Sequence, residues 1–482
     1  MEYILTLDVG TTSVKACLFD QSLSLAAQTS REYTLQTAGK CVEASAHVYL
    51  DAAEQCVRAL PEQARRRVCA AAVTTQGETL LCVDRQGQAL RPAIVWLDSR
   101  ADEQAAQLGR TLDRQHFYEH TGLPELSGAL PLAKLLWLRE NEPEIWKQTE
   151  RFLLLEDYLL LWLTGRAVTE KSLLTSTGYF DLQTDDYWNE ALALAGLSRT
   201  QLPQAMECGH IVGTILPECA QRLGLPETVQ IVTGAMDQTA AALAAGCTQP
   251  GCVCETTGTA MVAAAYTECP QFSDAHHVTV YRHAMQGAFL YLPISNTAGM
   301  SLRWFRDVFC AETGDDYAAL DRMAAQAPPG SHGVTFLPFL AGCVDPMYLP
   351  EATGCFCGLR LSTTKDCCIR AILEAVAFQL RDFLEMLHAL GCEAGAVTSL
   401  GGGAGSELWM QIKADVCDRP FRTLSTIQAT SLGAAVLAAG ALGWKPVKAT
   451  VKRTYQPQNH IDYNKPYTAY RSACAALYGK KG

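Results

Sequence analysis

The chain has 482 residues, 49% of them hydrophobic, and carries a formal net charge of −11. That length suits two or three domains with large cores. The acidic balance disfavours a surface built to hold a nucleic-acid backbone or an anionic membrane, so neither partner is expected. The start of the sequence, "MEYILTLDVG", has no basic run and puts an aspartate where a signal peptide needs its apolar core, so a cytoplasmic location is expected. Twenty cysteines occur without a CxxC pair. The close pairs Cys252/Cys254, Cys355/Cys357 and Cys367/Cys368 lack a second half at zinc-site spacing, which predicts reduced, mostly buried thiols.

In chain order, "YILTLDV", "SVKACLFD" and "LAAQTSREYTL" read as three strands joined by turns, so antiparallel pairing opens the fold. Helical periodicity follows in "ASAHVYLDAAEQCVRAL". "VCAAAVTTQ" is then a short apolar run bounded by polar residues and reads as a buried strand. Residues from Arg100 to Pro226 are mostly helical. Within them "RFLLLEDYLLLWLTGR" is interrupted by Glu156 and Asp157 and falls short of the roughly 20 residues a membrane span needs. It is expected to be a buried helix ending at Gly165. "VQIVTGA" gives another strand, and "MDQTAAALAAG" an alanine-rich helix stopped at Gly246. Strands alternating with helices imply an α/β layer structure.

After a turn at Pro250 and Gly251, the opening pattern returns. "ILTLDVGTTSVKACLF" and "CVCETTGTAMVAAAY" are each an apolar strand, an acidic residue, a Gly-Thr turn rich in hydroxyls and an apolar strand. Two copies about half a chain apart suggest two similar domains, each offering one hairpin loop to a shared cleft. Farther on, "AVTSLGGGAGSELWMQIKADVCDRPF" runs a strand into three glycines and opens a helix with Ser406 and Glu407 in its first turn. Such a turn either lets a ribose or phosphate approach the backbone or is simply tight. No GxxxxGK[ST] and no properly spaced GxGxxG is present, which removes the main support for P-loop and dinucleotide readings. Asp237, at the start of "DQTAAALAAG", is by local chemistry a candidate helix cap.

With the two hairpin loops and the triple-glycine turn in this order, the chain resembles the FGGY carbohydrate kinases. "GCFCGLRLSTTKDCCIRAILEAVAF" is similar to the family's C-terminal signature, with Cys367 where a histidine or acidic residue is usual. The resemblance implies an α/β fold of two ribonuclease-H-like, actin-type domains with a nucleotide cleft between them. Residues 1–246 would bind the sugar and carry the catalytic base, and residues 247–482 would bind ATP. It further implies ATP with Mg²⁺. Gly10, Thr11, Thr12, Lys15, Gly258 and Thr259 are then expected at the phosphates, Gly402, Gly403 and Ser406 at the adenosine, and Asp8 at the metal. Asp237 is implied as the base.

"TTQGETLLCVDRQGQALRPAIVWLDSRA" aligns with the segment where family members contact their acceptor. Gly77, Glu78, Thr79, Asp237 and Gln238 become the substrate-binding candidates. Trp96 suits either sugar stacking or core packing. The Glu-Thr pair and Asp237-Gln238 are similar to the glycerol kinases, whereas "LTGRAVTEKSLLTSTGYFDLQTDDYW" looks like the xylulokinase branch. The expected reaction is phosphorylation of a small sugar, a ketopentose such as xylulose, with glycerol or another polyol as the alternative. An actin- or chaperone-like ATPase and a non-catalytic sugar-responsive protein are the rival classes. A homodimer is compatible with the resemblance, although no sequence feature shows an interface.

Overall fold

The computed structural model describes residues 2–273, 276–311, 314, 316–426, 428–445 and 449–479. The chain forms two compact units. One contains Met1–Ala244 together with 279–290 and 428–448, and the other contains 245–278, 291–427 and 449–482. Two later segments thus return to the first unit, an exchange that local sequence patterns do not announce.

The first unit is built on a six-stranded sheet. Its strands are β1 (Tyr3–Val9), β2 (Ser13–Phe19), β3 (Leu25–Glu32), β4 (Val68–Thr75), β5 (Ile211–Thr214) and β6 (Gln230–Val232), in the order β5-β6-β4-β1-β2-β3. β1, β2 and β3 form an antiparallel meander. β4 runs parallel to β1 and β6 parallel to β4, while β5 closes the edge antiparallel. Alternation sorts β1 into two faces. Leu5, Leu7 and Val9 join a buried cluster with Tyr49 and Ala53 of the helix Ala46–Ala59 and Leu159 of the helix Leu155–Thr164. Ile4, Thr6 and Asp8 therefore point to the other face. The alanine-rich helix Ala429–Ala441 packs against β1, β4 and the helix Asp237–Ala244.

The second unit repeats the plan. β7 (Cys252–Thr257), β8 (Met261–Thr267), β9 (Ala396–Leu400), β10 (Phe421–Leu424) and β11 (Val451–Tyr455) lie in the order β8-β7-β9-β10-β11. β7 and β8 are an antiparallel hairpin, β9 is parallel to β7, β10 is parallel to β9, and β11 is antiparallel. The 25-residue helix Lys365–Ala389 packs on the helix Glu407–Cys417. An antiparallel hairpin beside two parallel strands, found in both units, is the ribonuclease-H-like arrangement that the family resemblance implies.

One expected element is divided. The run starting at Arg151 is a strand, Arg151–Leu154, and then a helix, Leu155–Thr164. The strand pairs with Leu80–Val83. Asp157 Oδ2 accepts the Leu154 amide at 2.7 Å, which ends extended backbone and starts the helix. The helix does stop at Gly165, in the left-handed conformation with φ 71°. Among the described residues, no helix is long and apolar enough to cross a membrane.

Candidate active site

In the first unit, the loop between β1 and β2 is fixed by its own backbone. Gly10 donates its amide to the Ser13 carbonyl at 3.0 Å, the Tyr33 hydroxyl donates to the Gly10 carbonyl, and the Tyr33 amide donates to the Thr12 carbonyl at 2.9 Å. Gly10, Thr11 and Thr12 are left at or near the surface. The Trp96 indole donates to the Thr11 hydroxyl at 3.0 Å and is 38% exposed. Core packing therefore does not describe Trp96. Asp8 stands in register with Lys15 across the hairpin, their charged groups 3.8 Å apart. Burial raises the Asp8 carboxyl above its usual range, against the pull of Lys15.

Asp237 opens its helix as the first residue rather than the cap, and its Oδ1 accepts the Gln238 amide at 2.6 Å. Burial, then the neighbouring Asp8 charge and to a smaller degree Glu78, pushes Asp237 up to about 7. Glu78 adopts φ 53°, the left-handed region that a glutamate rarely occupies. Its Oε1 accepts the Tyr281 hydroxyl at 3.2 Å, and burial raises its carboxyl. Lys134, fully buried, gives its ammonium to the carbonyls of Glu78 (3.1 Å) and Val95 (2.9 Å). Gly77 has Ser176 so close that a β-carbon there would come within 2.9 Å of its hydroxyl oxygen. Thr79 is fully buried, and its hydroxyl accepts from the Gln76 side-chain Nε2 at 3.1 Å. Gln238 follows Asp237 and is half-buried. Asp8 and Glu78 are thus close enough for their charges to act on Asp237.

In the second unit, Gly258, Thr259, Gly402, Gly403 and Ser406 line one pocket of about 400 Å³, together with Met300, Arg303, Tyr317, Asp321 and Trp409. The β7–β8 loop is tied to the start of the helix Gly299–Phe309, where the Gly299 amide donates to Gly258 and the Met300 amide to Thr259 at 3.0 and 3.2 Å. Gly403 lies against Thr257, whose Cβ a new side chain would meet at 2.8 Å. The Ser406 hydroxyl caps its helix by accepting the Trp409 amide at 3.1 Å. Beneath the loop Glu255 and Lys413, both fully buried, pair at 2.7 Å. Thr257 completes the triad, accepting from Lys413 at 2.8 Å and donating to Glu255 at 2.6 Å.

Four pocket residues, Met300, Arg303, Tyr317 and Asp321, lie outside every motif read from the sequence, as do Tyr281 and Lys134. Lys134 had a signal, being a lone lysine inside the apolar run "ALPLAKLLWL". Tyr281 had none, because it is 203 positions from Glu78.

Comparison with known proteins decides what these pockets belong to. The N-terminal domain of the FGGY family of carbohydrate kinases matches residues 3–244, and its C-terminal domain matches residues 251–442. The chain belongs to the FGGY family of carbohydrate kinases. This FGGY kinase is 31% identical over 473 residues to a xylulose kinase of Escherichia coli K12, covering 96% of each chain. It is 28% identical over 454 residues to a gluconokinase of Bacillus subtilis, covering 92% of this chain and 88% of the relative. The crystal structure of a xylulose kinase from Rhodospirillum rubrum superposes with a TM-score of 0.91 at 28% identity, over 99% of both chains. Like its family, this kinase is a phosphotransferase that moves a phosphoryl group from ATP to an alcohol group of a small sugar or polyol.

Proposed function

We propose that the acceptor is an uncharged ketose, with xylulose the first candidate, and that Asp237 is the general base. One observation carries the choice of acceptor. The first unit gathers three carboxyl groups, Asp8, Glu78 and Asp237, while the buried amine beside them, Lys134, is spent on two backbone carbonyls. A sugar acid would bring a further negative charge into that setting, where the one exposed ammonium described, Lys15, already faces Asp8. A neutral polyhydroxy chain instead offers donors that carboxylates accept. The xylulose kinase relatives support this reading over the gluconokinase.

Phosphoryl transfer needs positioning and charge stabilisation more than covalent help. The acceptor hydroxyl donates to Asp237, which takes its proton as the phosphorus–oxygen bond forms. Glu78, held by Tyr281, accepts from neighbouring hydroxyls of the sugar, and Gly77 and Gln238 complete that subsite. Thr11 and Thr12 offer amides and hydroxyls to the transferring phosphoryl group, Gly10, whose amide is used within the loop, lets that group approach the backbone, and Lys15 adds positive charge. Gly258 and Thr259 hold the phosphate chain, and Gly402, Gly403 and Ser406 seat the adenosine. Thr79 braces the acceptor loop. The sugar subsite is thereby drawn from residues 1–246 with Tyr281 added from 279–290, and the adenosine subsite from 247–482.

Among the described residues, no group of three or more His, Cys, Asp or Glu makes a protein cage for a metal. A single carboxylate beside phosphates suits Mg²⁺, which keeps several of its waters, and Asp8 is the residue that would hold it. When bound, the ion screens the charge of the phosphates. All twenty cysteines are free, which supports a reducing cytoplasm.

ADP release with MgATP, measured against D-xylulose, D-ribulose, glycerol and gluconate, tests the reading. Xylulose is expected to raise ADP formation well above the rate without sugar, and gluconate to leave it unchanged. Turnover on gluconate alone would overturn the acceptor assignment.

A further inference from the structure

Three backbone polar groups of the segment that connects β6 to Asp237 are held by side chains. The Gly234 amide donates to Glu156 Oε1 at 3.1 Å, and the Ala235 carbonyl accepts the Thr74 hydroxyl at 2.6 Å. The Met236 amide, one residue before the base, is shared between Glu170 Oε1 at 3.0 Å and the Ser172 hydroxyl at 3.1 Å. Gly234 itself is pressed so hard on β4 that a β-carbon would fall 1.6 Å from the Val73 carbonyl oxygen. Neither Glu170 nor Ser172 has any exposed surface.

Glu170 is unusual in what else it binds. Its carboxyl accepts the amides of Ser172 at 2.5 Å and Leu173 at 2.7 Å, and the Cys208 thiol at 2.9 Å. Four donors converge on one buried carboxylate, and none is an ammonium or guanidinium. Burying a carboxylate without a cation is costly, and donors from three separate segments fix it in one position. An uncharged side chain of the same shape would cap the short helix Lys171–Leu174 at less cost.

We infer that Glu170, assisted by Ser172, is a positioning residue for Asp237, holding the Met236 peptide so that the carboxyl of the next residue meets the acceptor hydroxyl. The inference rests on the reading of Asp237 as base. Glu170 has no exposed surface with which to touch an acceptor, and it acts through one peptide unit. An error of about 1 Å at the reacting atoms costs on the order of 100-fold in rate, so a carboxylate that sets this peptide bears directly on kcat.

Steady-state kinetics on Glu170→Gln, alone and combined with Asp237→Asn, test it. In the native background kcat is expected to fall roughly 10- to 100-fold, with KM for sugar and ATP within about twofold of the parent. In the Asp237→Asn background the same change is expected to cost nothing further, because a residue that works through the base has nothing left to position. Equal losses in both backgrounds, or no loss in either, would overturn the inference. Ser172→Ala, which removes only the second acceptor, is expected to show the same dependence on Asp237 with a smaller loss, and it decides the question if Glu170→Gln does not fold. Should Asp237→Asn alone keep the parental rate, the base reading fails, and the inference with it. If it abolishes turnover while both other variants stay parental, only the inference fails.

Discussion

Glu255 sits three residues before Gly258 at the end of β7, and Lys413 meets it at 2.7 Å with no solvent access to either group. Asp8 sits two residues before Gly10 at the end of β1, and its counter-charge is Lys15, 3.8 Å away with 43% of its side chain exposed. The two sheets share one plan, yet one neutralises its buried acid and the other surrounds Asp8 with more acid, Asp237 and Glu78. A closed ion pair has its interactions satisfied within the protein. Asp8, Glu78 and Asp237 have no ion pair as close as that among the described residues, and hydroxyl donors or cations from outside would stabilise them. The contrast separates an acid that holds a loop from acids proposed to meet a substrate.

The largest effect that would sharpen this contrast is at Asp237. Asp237→Asn is expected to lower kcat by about 10²- to 10⁴-fold, read by sugar-dependent ADP release. The same change should make the free protein harder to melt at alkaline pH. The native carboxyl holds its proton up to about 7, against an ordinary value of 3.8. Its contribution to stability is therefore present in full below about pH 4 and is lost as pH rises through 7. The uncharged asparagine escapes that loss, so by thermal melting at pH 8 the variant gains on the order of 2–4 kcal/mol.

Lys413→Met should do the reverse. It leaves Glu255 buried without its partner and is expected to cost about 3–5 kcal/mol in denaturant unfolding. Adding Glu255→Gln should recover much of that loss, and a Lys413 variant as stable as the parent would break the comparison. Glu78→Gln ranks third. With a charged acceptor weakened to a neutral one, KM for the sugar is expected to rise roughly tenfold while KM for ATP stays put, since a hydrogen bond to a charged group contributes about 1.5–3 kcal/mol. The mildest test needs no variant. In the free enzyme kcat/KM for the sugar should fall about tenfold per unit as pH drops below about 7 and Asp237 takes up its proton.

The hairpins, the repeat and the turn at Gly402–Gly403 were legible in sequence, because strand alternation and turn chemistry are local. Asp237 was legible only with the family motif, since an aspartate at a helix start has an ordinary use. The supporting groups were not legible. Glu156 appeared only as a break in an apolar run, and Glu170 as one polar residue among several in "VTEKSLLTST". What makes both matter is their contact with residues 234 and 236, which lie 78 and 66 positions farther along the chain. Tyr281 escaped for the same reason, since residues 279–290 return to the first unit.

The left-handed backbone at Glu78 sets folding and chemistry at odds in a single residue. Glycine would occupy that φ without the roughly 1 kcal/mol that a side chain costs there, and would give up the carboxyl proposed to meet the sugar. Under selection for heat resistance alone, glycine is the fitter residue at position 78. Under selection for growth on the sugar, glutamate is. The identity of that one residue in a laboratory-evolved lineage would therefore record which pressure the lineage had been under.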